Sequence, residues 1–300
     1  MRITVFTPTY NRAHCLEELY GSLCKQSFKD FEWIVVDDGS EDSTCELVSS
    51  WLPQGRRDGK NGFMGITNKG ITLFYFYQQN GGKHRAINRG VREAHGEVFF
   101  IVDSDDALPV TSLETINRYW QQVKDKCIFG GIAGFMSHRD GKIIGKGEVY
   151  GMLDCNALEF RYKHKVFGDM AEVFRTSVLK DNPFPEFDDE RFCPEALVWN
   201  RIAQTYKLRY FQEIVYFRDY LDGGLTDRIV SIRMNSPQAS LTHYQELSTY
   251  RIPFVQKIKA AINYWRFWFC LKENRNIPKL ALFWYLLKPC GWLLHKIDLK

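Results

Sequence analysis

Asp103-Ser104-Asp105-Asp106 follows directly on the apolar run Val98–Val102. Carboxylates at the end of a buried strand project into the cleft beyond it, and residues two apart on a strand share a face. Carboxylates held that close repel unless a cation sits between them. A hard dication, Mg²⁺ or Mn²⁺, suits such oxygen ligands and bridges them to a diphosphate. The competing use is a solvated turn with an Asp capping the helix after Pro109. A second acidic group, Asp37-Asp38-Gly39-Ser40, ends the apolar run Phe31–Val36. An Asp there can accept hydrogen bonds from a base or ribose, or build an Asx-turn or helix cap.

Three further groups have chemical potential. Pro8-Thr9-Tyr10-Asn11-Arg12 closes the first apolar run, with Tyr10 able to stack on a base or simply to pack. Asn80-Gly81-Gly82-Lys83-His84-Arg85 opens a helical stretch, where free N–H groups and basic side chains favour an anion such as a phosphate. The alternative is a turn with a solvated basic face, and the Walker spacing of a P-loop is missing. Glu195 starts a helix within Phe184–Trp199, placed either as a general base for a hydroxyl or as a first-turn acid favoured by the helix dipole. Asp222-Gly223-Gly224-Leu225-Thr226 suits a lid or an ordinary loop.

The elements that must position these residues alternate in period. Short apolar runs at Ile3–Phe6, Phe31–Val36, Ile71–Tyr77 and Val98–Val102 are separated by helix-spaced stretches, Leu16–Cys24 and Lys83–Ala94 among them. That order predicts βαβ units and a mostly parallel sheet, which binds ligands beyond the carboxyl ends of its strands. Gly55–Gly70 reads as a surface loop. Ile128–Phe135, Lys142–Val149 and Leu208–Phe217 read as strands, and Asp169–Lys180 and Glu195–Tyr206 as helices. In a chain of 300 residues, 45% hydrophobic and 25% charged, there is ample core for a large α/β domain, which excludes a disordered or fibrous protein. The net charge of +4 is too mild to argue for a nucleic-acid partner. Eight scattered Cys, with no C-x-x-C, predict a reduced cytosolic compartment rather than a disulfide framework or a zinc site. The opening residues enter a strand directly, without the pattern of a signal peptide.

Taken together, V-F-T-P-T-Y-N-R, W-I-V-V-D-D-G-S-E-D-S-T, Q-N-G-G-K-H-R-A-I-N, G-E-V-F-F-I-V-D-S-D-D and P-E-A-L-V-W-N-R-I-A resemble, in order and spacing, the inverting family 2 glycosyltransferases. The resemblance covers residues 2 to 226 and points to bacterial capsule, O-antigen and exopolysaccharide enzymes. It implies the GT-A fold, a mostly parallel central sheet flanked by helices; the helical stretches after Thr226, where the resemblance fades, read as a C-terminal helical appendage. Residues 1–226 would form the catalytic domain and 227–300 the extension. By the same resemblance Pro8, Tyr10, Asp38 and Lys83 lie where the family holds the nucleotide. Asp103 and Asp105 match its D-x-D, Asp105 ligating Mn²⁺ or Mg²⁺ and Asp103 the ribose or the metal shell, with Asp106 beside them. Glu195 falls at the catalytic base. Relatives carry Glu-Asp there, whereas this chain has Pro194-Glu195, and the metal-binding His that many relatives place after the following strand is absent, leaving Asp219 or water. The implied reaction moves a sugar from a nucleoside-diphosphate donor, such as a UDP-sugar, to a hydroxyl of a lipid-linked glycan. Two other expectations are a catalytically inactive nucleotide-binding or scaffold protein of the same fold and a nucleotidyltransferase; the latter expects a Gly-rich loop where Pro8-Thr9-Tyr10-Asn11 stands.

The last fifty residues carry 10 Lys and Arg against 2 acids, and four of the eight Trp. Two apolar-aromatic segments, Phe254–Leu271 and Ile277–Leu294, are laced with Lys. Such segments lie in the headgroup region of anionic membranes, here the cytoplasmic face of an inner membrane. The alternative is a helical hairpin packed on the core or on a second copy as a homodimer. Pro278, Lys279 and Lys288 argue against a spanning helix.

Overall fold

The computed structural model describes residues 2–53, 56–57, 62–145, 151–218, 228–272 and 277–299. It divides into two compact units, residues 1–183 with 202–219, and residues 184–201 with 220–300.

The first unit is built on strands β1 (Ile3–Thr9), β2 (Phe31–Asp37), β3 (Arg56–Arg57), β4 (Gly62–Ile66), β5 (Thr72–Tyr77), β6 (Val98–Ile101), β7 (Phe129–Ser137), β8 (Met152–Cys155), β9 (Met170–Arg175) and β10 (Lys207–Phe217). They form one sheet in the order β3-β4-β5-β2-β1-β6-β9-β7-β10-β8. Strands β5, β2, β1 and β6 are parallel neighbours, so their carboxyl ends face the same edge. Every residue of β2 is buried, as expected of a strand covered on both faces. The covering helices are α1 (Ala13–Cys24), α2 (Thr44–Ser50), α3 (Lys83–Glu93), α4 (Ser112–Gln121), α5 (Ala157–Tyr162) and α6 (Thr176–Asp181). Tyr20, Trp33 and Trp51 stack in the core beneath them, Tyr20 and Trp51 at 4.2 Å between ring centroids.

Three local expectations need correction. Residues 62–66 form a strand antiparallel to β5 rather than part of a loop. Its Gly62 is there because a Cβ would sit 2.4 Å from the Tyr75 carbonyl oxygen, so the glycine content that resembles a loop permits a close strand pairing. Residues 170–175, expected in a helix, form β9, inserted antiparallel between β6 and β7; the helix α6 begins only at Thr176. Of the expected strand 142–149, the described part makes a single bridge, Ser137 with Ile143.

The second unit contains most of α7 (Glu195–Ile202), then α8 (Ile229–Met234), α9 (Pro237–Thr249), α10 (Phe254–Trp268), a 3₁₀ turn at Leu282–Leu287 and α11 (Lys288–Asp298). Leu241, Ala261, Tyr264, Trp265, Leu280 and Trp284 form its core. Arg266 clamps Asp298 through two bonds of 2.5 and 2.6 Å, tying α10 to α11. Glu190 accepts from the N–H groups of Gln238 and Ala239 at 2.6 and 2.9 Å and so caps α9. Arg201 grips Glu246 bidentately, its shortest bond 2.6 Å, which fastens α7 to α9. Among the described residues no helix is long and apolar enough to cross a membrane.

Candidate functional site

The ends of β1 and β2 are locked together. The Asp38 N–H donates to the Thr9 carbonyl at 2.8 Å, the Asn11 N–H to the Ser40 hydroxyl at 2.8 Å, and the Glu41 N–H to the Asn11 side-chain oxygen at 2.8 Å. Asn11 takes a φ of 53°, a left-handed turn that Asn tolerates better than most residues. Pro8 is half-buried and Tyr10, at the strand tip, is 47% exposed.

The two acidic groups have different partners. Asp37 is wholly buried; it accepts from the Tyr75 hydroxyl at 2.5 Å and from the Ser40 N–H at 2.7 Å. Asp38, also buried, accepts from Gln78 at 2.8 Å and from the Gly81 and Gly82 N–H groups at 3.0 and 2.7 Å. The anion at the glycine turn before α3 is therefore the chain's own Asp38. Gly39 makes this possible: its φ is 91°, and a Cβ would lie 2.8 Å from the Asn80 nitrogen.

With the turn fixed, α3 begins at Lys83, and the Lys83 ammonium reaches Asp103 beyond β6 at 2.7 and 3.0 Å. Asp105 pairs with Arg12, at the start of α1, at 3.3 Å. Asp106 is buried and accepts from the Tyr216 hydroxyl at 2.6 Å, while that hydroxyl accepts from the Asp103 N–H at 2.9 Å. Tyr216 comes alongside because Phe217, at the end of β10, pairs with Ala107. None of these carboxylates caps the helix after Pro109; α4 has Thr111 at its N-cap, without a side-chain bond.

Desolvation, the largest single influence, raises the Asp103 carboxyl, but the Lys83 charge and hydrogen bond together with the charges of Arg218 and Arg12 outweigh it, and the net shift is downward. Asp106 goes the other way. Burial first, then the negative charges of Asp103 and Asp105, push it up to about 7 against the Tyr216 hydrogen bond.

A dication of the Mg²⁺ or Mn²⁺ kind fits this donor set in one way. Asp103 and Asp105 offer hard oxygens, both partly exposed and held by cations rather than by buried neutral donors. Among the described residues no three His, Cys, Asp or Glu side chains stand together as a metal cage. The site thus suits an ion held by one or two carboxylates whose shell is completed by substrate phosphate.

In the first unit Lys83 is joined to Asp103, and Asp103 to Asp106 through Tyr216. Asp38 fixes the turn just before Lys83. Asp105 stands between Asp103 and Asp106 in the chain and is tied to Arg12, and Pro8 and Tyr10 lie at the end of β1 that leads to Arg12. Glu195 opens α7 in the second unit, half-buried. Asp219 and the segment Asp222–Thr226 lie outside the described residues. Sequence reasoning missed Arg12 and Tyr216 as site residues. Arg12 ends the first motif and was discoverable from it; nothing local marks Tyr216, 113 residues from Asp103.

Residues 4–179, more than half of the chain, match the sequence model of Glycosyl transferase family 2, and the chain belongs to that family. Among its relatives is the GalNAc(5)-diNAcBac-PP-undecaprenol β-1,3-glucosyltransferase of Campylobacter jejuni, 28% identical over 225 residues, which are 73% of this chain and 64% of that one. Another is the poly(ribitol-phosphate) β-N-acetylglucosaminyltransferase TarS of Staphylococcus aureus, 27% identical over 70% of this chain and 35% of that one. The chain thus spans less than two thirds of the length of these relatives. Among solved structures, S. aureus TarS 1–349 in complex with UDP-GlcNAc aligns with a TM-score of 0.64 at 19% identity, over 97% of this chain and 79% of that one. A mannosyltransferase from Pyrobaculum calidifontis in complex with GDP-Man and Mn²⁺ aligns with a TM-score of 0.60 at 17% identity, over 100% of this chain and 86% of that one. The fold is the expected GT-A fold, with the parallel strands that carry the site at its centre.

Proposed function

We propose that this chain is a metal-dependent, inverting glycosyltransferase. It moves a sugar from a nucleoside-diphosphate donor, a UDP-sugar, to a hydroxyl of a lipid-linked glycan in surface-polysaccharide assembly. The observation that carries the reading is the pairing of Asp103 with Lys83 and Asp105 with Arg12, at neighbouring strand ends and in the D-x-D position of the family. Two carboxylates matched to two displaceable cations form a charge-balanced site for an anionic ligand bound with a cation.

In this reading Tyr10 and Pro8 flank the base, and Asp38 holds the turn that aims Lys83 while its carboxylate borders the nucleoside. Lys83 and Arg12, displaced from the carboxylates, hold diphosphate oxygens. A divalent cation at Asp103 and Asp105 supplies, when bound, charge stabilisation for the departing diphosphate. Glu195 takes the proton of the acceptor hydroxyl as its oxygen bonds to the anomeric carbon and the bond to the diphosphate breaks. A single displacement of this kind inverts the anomeric centre. Support for the acceptor comes from the C. jejuni relative, whose name gives a lipid-linked substrate.

The basic, aromatic tail attaches the protein to the cytoplasmic face of an anionic membrane. Exchange of exposed Leu282 and Leu286 for Glu moves the protein from the membrane to the soluble fraction on cell fractionation; an unchanged distribution contradicts attachment through the tail. For the catalytic reading, release of nucleoside diphosphate from a panel of nucleotide sugars is measured with Mn²⁺ and acceptor. Turnover by the wild type and none by Glu195→Gln supports it. Tight nucleotide binding without turnover on any acceptor makes the chain a binding or scaffold protein instead.

A further inference from the structure

The second unit carries a groove of about 380 Å³ between the end of α9, the start of α10 and the residues around the 3₁₀ turn. That volume lies within the range of small-ligand sites. Its walls are Ile252, Phe254, Ala281, Phe283 and Trp284, with Phe254 stacked on Trp284 at 5.7 Å between centroids. The Ser248 and Thr249 hydroxyls on its lining already donate to the carbonyls of Gln245 and Glu246. Lys257 is the cation of the lining. It follows Phe254 by three residues on the same face of α10, and among the described residues it has no acidic partner. A largely apolar groove with one ammonium on its lining matches a hydrocarbon chain that ends in a phosphate.

The surroundings say which molecule of that kind is available. Leu282 and Leu286, at 85% and 83% exposure, adjoin the lining residues Ala281, Phe283 and Trp284 in the chain, and Phe254, itself in the lining, and the next residue Val255 stand 64% and 59% exposed. On α11 the buried positions are Gly291 and His295, while Leu293 and Ile297 face outward with Lys296 beside them. Only two acids occur in residues 251–300, Glu273 and Asp298. Asp298 is neutralised by Arg266. A surface rich in large apolar side chains and cations is complementary to an anionic bilayer, and among the described residues no helix is long and apolar enough to cross one.

We propose that the groove seats one acyl chain of an anionic phospholipid, its phosphate on Lys257, while Leu282, Leu286, Leu293 and Ile297 enter the headgroup layer of the same bilayer. The proposal rests on the membrane reading of the tail and adds to it a discrete lipid site with a fixed orientation.

The full-length protein is titrated calorimetrically with dihexanoyl-phosphatidylglycerol below its micelle-forming concentration. Saturable binding of one lipid per chain is expected. Lys257→Glu weakens it by about tenfold or more, since each basic residue near an anionic headgroup contributes on the order of 1 kcal/mol and the reversal moves two charges. Phe254→Ser weakens it similarly, and dihexanoyl-phosphatidylcholine and inorganic phosphate bind at least tenfold more weakly. In parallel, flotation with vesicles of phosphatidylglycerol and phosphatidylcholine is lost in a Leu286→Glu/Ile297→Glu variant that keeps short-chain lipid binding. Nucleotide binding, which uses none of these residues, serves as the check of folding. If Lys257→Glu titrates like wild type, or phosphatidylcholine like phosphatidylglycerol, the groove is not an anionic-lipid site, although flotation can still uphold the membrane reading. If wild type does not float and sediments as a dimer that the Leu286→Glu/Ile297→Glu variant breaks, both readings fall.

Discussion

Two acidic turns follow strands of one parallel stretch, Asp37-Asp38-Gly39-Ser40 after β2 and Asp103-Ser104-Asp105-Asp106 after β6. As sequence they look alike: an apolar run, then carboxylates. Their partners separate them. Asp37 and Asp38 are fully engaged by a phenol, an amide side chain and backbone N–H groups, all of them neutral. Asp103 and Asp105 are held by Lys83 and Arg12, charged side chains on the partly exposed rim. A buried carboxylate satisfied by fixed neutral donors is a fastener, because withdrawing any donor strands a polar group. A partly exposed carboxylate held by a flexible cation exchanges partners more readily than one held by fixed buried donors, because solvent can take up each charge as the pair opens. The first turn builds the frame and the second is free to meet a ligand.

Four experiments test that contrast. The largest effect is expected on the ligand-facing turn: Asp105→Ala, or removal of divalent ions by chelation, lowers transfer at least about a thousandfold while thermal unfolding hardly moves. On the frame, Asp37→Ala leaves the Tyr75 hydroxyl and the Ser40 N–H unpaired. It lowers unfolding free energy in urea by about 2–3 kcal/mol, with turnover per folded molecule nearly kept. Asp38→Asn sits between the two classes. It loses the charge that holds Gly82 and loosens the aim of Lys83, so the donor KM rises about tenfold while kcat changes less. Tyr216→Phe is the mildest: Asp103 and Asp106 each lose one hydrogen bond, for about 1–2 kcal/mol of stability and a severalfold loss of turnover. A large loss of activity in Asp37→Ala with unchanged stability would erase the distinction between the turns.

Much of this was legible in the chain itself, and the reason is local. The run Phe31–Val36 is apolar at nearly every position because β2 is covered on both faces, and that pattern needs no knowledge of the fold. The start of α3 at Lys83 likewise follows from Gly81-Gly82 and the periodicity after them. What could not be read is long-range. Asp37 is distinguished from Asp105 by Tyr75, 38 residues away, and Asp106 by Tyr216, 110 residues away. The segment of β9 reads as helix because Met-Ala-Glu-Val-Phe-Arg has no strict alternation. Its burial comes from both neighbours, β6 and β7, and tertiary pairing outweighs so short a pattern. The glycine turn was readable as an anion site, but not that the occupying anion is Asp38.

The most direct test of the central claim is calorimetric titration of the nucleoside diphosphate with and without Mn²⁺. The account predicts that Mn²⁺ tightens binding at least about tenfold in the wild type and in Asp37→Asn, and does nothing in Asp105→Asn. An Asp105→Asn protein that responds to Mn²⁺ as the wild type does would contradict it.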